Sequence, residues 1–213
     1  GNTMLRNADL LYARDRQSYE YLAALSDFDS EKVQMGSDIA FQFSAAPAEV
    51  GADILTELGV RLDAEPIIGI VPNMRVYERL PHDATDSPYV SALVKVALHF
   101  AVHEQCQVIL MPHEIKTEPD PAMPDDRYLC RRIAKQVGND ADVCCLLSEH
   151  SAEELKSVIG HLDLLISSRY HSIIGAMSLR CPVVCVAWSH KYHDLMNSVQ
   201  LGDYVISGDQ MDT

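Results

Sequence analysis

The sequence predicts an α/β protein whose core is a mostly parallel β-sheet with helices on both faces. From about residue 66 onward, short apolar runs alternate with longer stretches that carry apolar residues at helical spacing, the pattern of repeated βαβ units. Polar and basic residues directly follow the apolar runs, at the edge where parallel sheets bind ligands. The chain has 213 residues, 47% of them hydrophobic and 23% charged, so it can bury a globular core.

The N-terminal part of the chain carries a shorter version of this pattern. Residues 8–13 predict a strand, residues 16–25 predict a helix capped near Asp15, and residues 32–41 are expected to be extended. We interpret residues 1–45 as the remnant of a preceding N-terminal domain.

The composition then changes toward small residues. Pro47 precedes one short helix, predicted over residues 48–58, with Gly59 after its C-terminus. We interpret residues 46–65 as a connector and residues 66–213 as a Rossmann-like domain that is complete enough to fold alone.

Strands and helices alternate regularly in this larger part. Strands are predicted at residues 67–71, 108–111, 143–147, 162–166 and 183–187, with a closing strand at 204–206. Helices are predicted at residues 89–104, 125–137, 151–159, 172–179 and 192–199. Asp125 and Asp126 are interpreted simply as a helix start, where the dipole favours negative charge, and Ser151-x-x-Glu154 is a capping box.

Composition and missing motifs argue against several classes of function. The net charge of −14 argues against binding of nucleic acids or anionic membranes, because no basic face is large enough. No apolar run approaches the roughly 20 residues of a membrane span, and charged residues interrupt the N-terminal region where a secretory signal would lie. The glycine-rich nucleotide fingerprints and the Gly-x-Ser-x-Gly hydrolase elbow are absent.

The cysteines give no sign of a metal site. The chain has six cysteines without a Cys-x-x-Cys pair, and the close pair His190 and His193 lacks a third zinc ligand. We therefore expect reduced, buried thiols in a cytoplasmic protein and no bound metal.

Basic and titratable residues gather where the predicted strands end. Arg169 and His171 lie where the strand at 162–166 turns into a helix, and free backbone N–H groups and the helix dipole favour anions there. Other strands deliver further residues to the same edge: Arg75, His113, Lys116, His150, His190 and Lys191. This arrangement predicts a cationic site for a ligand that carries phosphate or carboxylate, although we expect Lys116 and His150 to be solvated loop residues.

The same segment carries a family resemblance. This segment resembles the signature of the polysaccharide pyruvyl transferase family. The resemblance is carried by the run from Ser167 through Arg169, Tyr170 and His171, the small-residue helix that follows, Cys181-Pro182-Val183-Val184 and Trp188-Ser189-His190-Lys191. Two weaker similarities lie at residues 13–22 with 37–41, and at residues 108–114 followed by 125–127.

The resemblance implies a fold of two Rossmann-like halves, similar to the GT-B glycosyltransferases. Residues 66–213 would then be the GT-B-like C-terminal domain, and most of the N-terminal half, which holds the acceptor, would be absent from this chain. We therefore expect donor binding from this chain, whether or not it catalyses transfer alone.

The resemblance also implies a reaction. A pyruvyl group would pass from phosphoenolpyruvate to a pair of sugar hydroxyls on a polysaccharide or cell-surface glycan, without a cofactor. Arg169 and Arg75 are the candidate anchors for the donor anions, and His171 is the candidate general acid. His113, His190 and Lys191 would assist phosphate departure or orient the acceptor. Tyr170 is expected to vary within the family and therefore to carry little information about function.

Two alternatives stay open. One is a GT-B glycosyltransferase or sugar-nucleotide enzyme that binds a nucleotide diphosphate at the same sheet edge. The other is a non-catalytic module that binds anions or glycans. Binding of nucleotide sugars discriminates the first alternative, and a ligand left unaltered after long incubation favours the second.

Overall fold

The computed structural model describes residues 2–80, 87–118, 124–138 and 141–208. Their main feature is a six-stranded, fully parallel sheet with the strand order β5-β4-β3-β6-β7-β8. Its strands are β3 (Ile67–Val71), β4 (Gln107–Leu110), β5 (Val143–Cys145), β6 (Leu164–Ser167), β7 (Val183–Ala187) and β8 (Val205–Ser207). The predicted α/β fold class is confirmed.

Helices connect these strands and cover both faces of the sheet. The helices are α3 (Ala48–Glu57), α4 (Met74–Arg79), α5 (Pro88–Leu98), α6 (Asp126–Val137), α7 (Ala152–Ile159), α8 (Tyr170–Leu179) and α9 (His190–Ser198). One core layer contains buried residues of α3, α7, α8 and α9, and the other contains buried residues of α4, α5 and α6. Burial on both faces explains why the strands are continuous apolar runs without polar alternation.

A small second sheet lies in the N-terminal part. Helix α1 (Asn2–Asn7) precedes β1 (Leu11–Ala13), α2 (Arg16–Ala23) and β2 (Val33–Met35), and β1 and β2 pair in parallel. Asp15 caps α2 by accepting a hydrogen bond from the Ser18 amide at 2.7 Å, as the sequence predicts.

Several local predictions differ from the structure. Helices α1 and α4 were not predicted, because six residues are too few for a clear period. The helix predicted at residues 89–104 leaves α-geometry after Leu98 and closes with a π-turn at His99–His103. The extended prediction for residues 32–41 is wrong from Ile39 onward, because Asp38 caps a 3-10 helix by accepting from the Ala40 amide at 3.0 Å.

Helix α3 packs tightly against α7 and contributes Leu55 to the core. A Cβ atom on Gly51 would lie 2.6 Å from the Ser157 backbone, so only glycine permits this approach. The Gly51 amide donates to Ser157 Oγ at 3.0 Å, and that hydroxyl donates to the Pro47 carbonyl at 2.8 Å. This contact fixes the start of α3 on the domain.

The cysteines and the helix lengths bear on two further predictions. All six cysteines are free thiols, and burial raises the pKa of Cys144 to about 12 and that of Cys181 to about 11, so neither is a thiolate near neutral pH. Within the described part of the chain, every helix is too short or too polar to cross a membrane.

Candidate functional site

The carboxyl ends of β3 and β6 are locked together by buried polar groups. The Asn73 amide nitrogen Nδ2 donates to the Ser168 carbonyl at 2.7 Å, and the Asn73 backbone N–H donates to the Tyr89 hydroxyl at 2.9 Å. The Tyr89 hydroxyl in turn lies 2.8 Å from Ser168 Oγ. The two loops therefore hold one relative position, since an unpaired polar group at this depth would be costly.

Serine residues set the turn that presents Arg169. Ser167 Oγ accepts the Arg169 backbone N–H at 2.9 Å and lies 2.6 Å from Ser172 Oγ. Ser172 Oγ also donates to the Arg169 carbonyl at 2.8 Å. These local bonds explain why serines flank the arginine at the end of β6.

Asp126 is the centre of a buried network that the sequence reading missed. Its side chain is 0% exposed. Oδ1 accepts from the Met74 amide at 3.0 Å and from Arg169 Nη2 at 2.5 Å, and Oδ2 accepts from the amides of His113 at 3.2 Å and Glu114 at 2.8 Å. One carboxylate therefore joins the loops after β3, β4 and β6.

Asp125 performs the capping role that both aspartates were predicted to share. Its side chain accepts from the Arg127 amide at 3.0 Å. A second aspartate was therefore unnecessary for the helix start, and this redundancy is the signal that could have identified Asp126.

Arg169 lies between two carboxylates. Besides Asp126, it contacts Glu114, whose Oε2 accepts from Nη1 at 2.6 Å. Its side chain is 13% exposed, and its Nε is buried without a hydrogen-bond partner among the described residues. The guanidinium is thus fixed and largely compensated, with donor capacity left over.

His113 and His171 line the same pocket, as the sequence predicts for residues at this sheet edge. The pocket has a volume of about 560 Å³ and lies between the 3-10 segment, α7 and α8. We call it the histidine pocket. Its remaining lining residues are Asp38, Ile39, Ala40, Gln42, Phe43, Ala152, Leu155, Lys156, Ile159, Ser172 and Gly175.

The two histidines have different surroundings. His171 is exposed in the first turn of α8, with its ring edge-on to that of Tyr170 at 5.7 Å. His113 is half-buried, and burial together with the positive charge of Arg169 lowers its pKa from 6.5 to about 4. His113 is therefore a neutral imidazole at neutral pH.

Lys191 lies among aromatic rings. Its Nζ is 4.9 Å from the ring centroid of Tyr170 and 5.4 Å from those of Trp188 and Tyr192. Burial lowers the pKa of Lys191, as do the positive charges of Arg14 and Arg169. Tyr170, which the sequence left without a role, is therefore a buried contact of Lys191.

Other predicted residues lie apart from the histidine pocket. Arg75 has a side chain that is 60% exposed and a distant carboxylate contact, 4.0 Å from Glu78. His190 lines a second pocket of about 370 Å³, beside Arg79 and Trp188. His150 stays in its own loop, 2.9 Å from Ser148 Oγ through Nε2.

No group of three potential metal ligands from His, Cys, Asp and Glu comes together among the described residues.

The fold resembles one half of several solved enzymes of carbohydrate metabolism. The UDP-GlcNAc 2-epimerase of Methanocaldococcus jannaschii, solved with UDP-GlcNAc and UDP, matches 94% of this chain with a TM-score of 0.60 and 10% identity, over 51% of its own length. The Neisseria meningitidis enzyme, bound to UDP-GlcNAc, matches 96% with a TM-score of 0.57 and 10% identity, over 50% of its length.

A third similar structure is the E. coli ADP-heptose lipopolysaccharide heptosyltransferase II. It matches 85% of this chain with a TM-score of 0.50 and 13% identity, over 47% of its own length. The chain thus spans about half the length of these structures. The class defined by the fold and its polar sheet edge is therefore a Rossmann-like, GT-B-like half.

The family follows from the sequence itself. The profile of the polysaccharide pyruvyl transferase family matches residues 2–190. The chain belongs to this family, as its Arg169-Tyr170-His171 segment had indicated.

Proposed function

We propose that this chain forms the donor-binding part of a polysaccharide pyruvyl transferase. The reaction transfers a pyruvyl group from phosphoenolpyruvate to two hydroxyls of a sugar and forms a pyruvate ketal on a polysaccharide or cell-surface glycan. One observation supports it above others: in a chain of this family, His171 and His113 line one pocket beside Arg169 at the carboxyl edge of the sheet.

The chemistry begins with a proton. A general acid protonates the methylene carbon of the donor, which becomes a methyl group, and positive charge develops at the adjacent carbon. One sugar hydroxyl attacks that carbon, and its proton restores the general acid. Phosphate leaves, the second hydroxyl closes the ketal ring, and the proton of that hydroxyl ends on the released phosphate. The net products are the ketal and inorganic phosphate.

We assign the general acid to His171. The alternative, His113, has a pKa of about 4, so it carries no proton to donate as an imidazolium at neutral pH. A neutral His113 can still donate one hydrogen bond to the substrate or accept one. His171 lies in the first turn of α8 and is exposed, so its ring can reach a ligand in the histidine pocket.

We assign donor binding to Arg169, with Arg75, His190 and Lys191 as further contacts to the donor or the acceptor. Glu114 is 42% exposed at its side chain, whereas Asp126 is 0% exposed and accepts several hydrogen bonds. An incoming phosphate or carboxylate would therefore replace Glu114 on Arg169 and leave Asp126 in place.

The free, largely buried thiols suit a reducing compartment, so we place the reaction in the cytoplasm.

Calorimetric titration tests this proposal. Phosphoenolpyruvate, UDP and UDP-GlcNAc are titrated into the wild type, Arg169→Ala and Arg169→Lys, with thermal unfolding to show that each variant is folded. Arg169→Lys keeps a positive charge beside Asp126 but loses the forked geometry. We expect phosphoenolpyruvate alone to bind, and both variants to weaken it by about tenfold or more.

Other outcomes point elsewhere. Binding of UDP or UDP-GlcNAc without phosphoenolpyruvate would favour a sugar-nucleotide enzyme. Phosphoenolpyruvate binding that is equal in all three proteins would remove Arg169 from the donor site. Failure of the wild type to bind phosphoenolpyruvate would remove the donor assignment from this chain.

A further inference from the structure

Lys156 is a buried cation without a carboxylate. It lies in the middle of α7 and is 7% exposed. Its Nζ donates a hydrogen bond to the Phe43 carbonyl, and no aspartate or glutamate among the described residues forms an ion pair with it. Burial alone lowers the pKa of this lysine.

Such a lysine is unusual on physical grounds. An ammonium group has three N–H donors, and the Phe43 carbonyl satisfies one of them. Burying a charged group is costly unless it is paired. Fixing the Phe43 carbonyl requires only a neutral donor, so this bond does not explain why a charged residue stands at the position.

Lys156 also lines the histidine pocket. The surrounding wall is largely apolar and includes Ile39, Leu155 and Ile159. In such surroundings an anion and an ammonium attract each other more strongly than they do in water. His171 and His113 line the same pocket, so a molecule bound by Lys156 would be held beside both.

The two arginines near this pocket are paired with carboxylates. Arg169 contacts Glu114 and Asp126, and Arg14 contacts Asp38 at 3.0 Å. Lys156 therefore differs from both arginines, because it forms no ion pair with a described carboxylate, and Asp38, which lines the same pocket, is paired with Arg14.

We propose that Lys156 binds an anionic group, a carboxylate or a phosphate, of the small molecule that occupies the histidine pocket. The inference rests on the proposed function in one respect: phosphoenolpyruvate, which carries both groups, is the expected ligand. Lys156 then anchors one end of the donor while His171 acts at the other.

The test compares Lys156→Gln with Lys156→Arg. The glutamine amide can still donate to the Phe43 carbonyl but has no charge, whereas arginine keeps the charge. Lys135→Gln, on the exposed last turn of α6, is the matched control. We expect Lys156→Gln to raise the Kd for phosphoenolpyruvate by about tenfold or more, with Lys156→Arg and Lys135→Gln within about threefold of the wild type. Equal affinity of folded Lys156→Gln and the wild type would overturn the inference.

A second measurement separates this inference from the proposed function. If the wild type does not bind phosphoenolpyruvate, the proposed donor is wrong, and pyruvate and inorganic phosphate become the probes. Lysines labelled with ¹³C-methyl groups are followed by NMR during a pH titration, and the Lys156 signal is assigned by its loss in Lys156→Arg. An anion that binds Lys156 must raise its pKa. An unchanged Lys156 titration with phosphoenolpyruvate, pyruvate and phosphate would overturn the role of Lys156 as well.

Discussion

The two sides of the sheet edge differ in whether their charged side chains are paired. On the side of α4 and α6, Asp126 and Arg169 neutralise each other, and backbone N–H groups occupy the remaining carboxylate positions. On the side of α7 and α8, the histidine pocket contains Lys156, which forms no ion pair among the described residues, and His171, which is exposed to solvent. We infer from this difference that the first region holds three loops in place, whereas the second keeps an unpaired cation that can bind a ligand.

His171→Ala should have the largest effect, and it should act on catalysis rather than on folding. The side chain is exposed and makes no described hydrogen bond that holds a loop. Loss of a general acid typically costs about 10²- to 10⁴-fold in rate. In full-length protein supplied with phosphoenolpyruvate and a glycan acceptor, phosphate release should fall by that factor, while calorimetry still detects the donor.

His161→Ala is the control for this variant, because His161 contacts the Ala48 carbonyl through Nε2 at 2.7 Å, outside the pocket. Phosphate release that is unchanged in His171→Ala would remove His171 from the general-acid role. It would also weaken the distinction between a catalytic and a structural side of the edge.

Asp126→Asn should affect stability instead. The change leaves Arg169 with Glu114 as its only carboxylate partner among the described residues. Breaking a buried ion pair on one side typically costs about 3–5 kcal/mol, and urea unfolding should show a loss of about that size. Glu114→Gln removes the more exposed partner of the same arginine, so it should cost about 1 kcal/mol or less.

The comparison of these two variants can fail in a clear way. If Asp126→Asn and Glu114→Gln destabilise the protein equally, the network is not organised around Asp126. Equal effects would also mean that the described burial of Asp126 does not control the positions of the three loops.

The sheet was predictable because its strands are buried on both faces. Strands β3 and β7 fall where the sequence placed them, since each is a short apolar run between polar loops. The helix caps were predictable for a different reason. Asp15 and Ser151 each accept a hydrogen bond from an amide only a few residues away in the chain. These features depend on nearest neighbours in the chain.

The site was only partly predictable because its contacts are remote in sequence. His113 and His171 could be placed at one sheet edge from the parallel topology alone. The role of Asp126 depends on Met74 and Arg169, which lie far from it in the chain, and no periodicity reports such a pairing. Lys156 was missed because a lysine within an amphipathic helix normally faces solvent, whereas here its side chain is buried and its Nζ donates to the Phe43 carbonyl, which is remote in sequence.

His113 contacts both regions, and its titration should make the stability of the protein depend on pH. Its backbone N–H donates to Asp126, whereas its side chain lines the histidine pocket. The pKa of His113 is lowered from 6.5 to about 4 in the folded protein, so between these two values the unfolded chain binds more protons than the folded one. Stability from this residue is therefore complete above about pH 6.5, declines as the pH falls toward 4, and changes no further below that value.

The expected size follows from the same two pKa values. At pH 5 the wild type should lose about 2 kcal/mol of unfolding free energy through His113, measured as the difference from His113→Gln in urea titrations at pH 7 and pH 5. His161→Gln provides the matched control and should keep the wild-type pH dependence. If His113→Gln also keeps it, His113 titrates alike in the folded and unfolded chains. A protonated His113 would then be available at neutral pH as a second candidate acid, and the assignment of proton donation to His171 would rest on its own rate measurement alone.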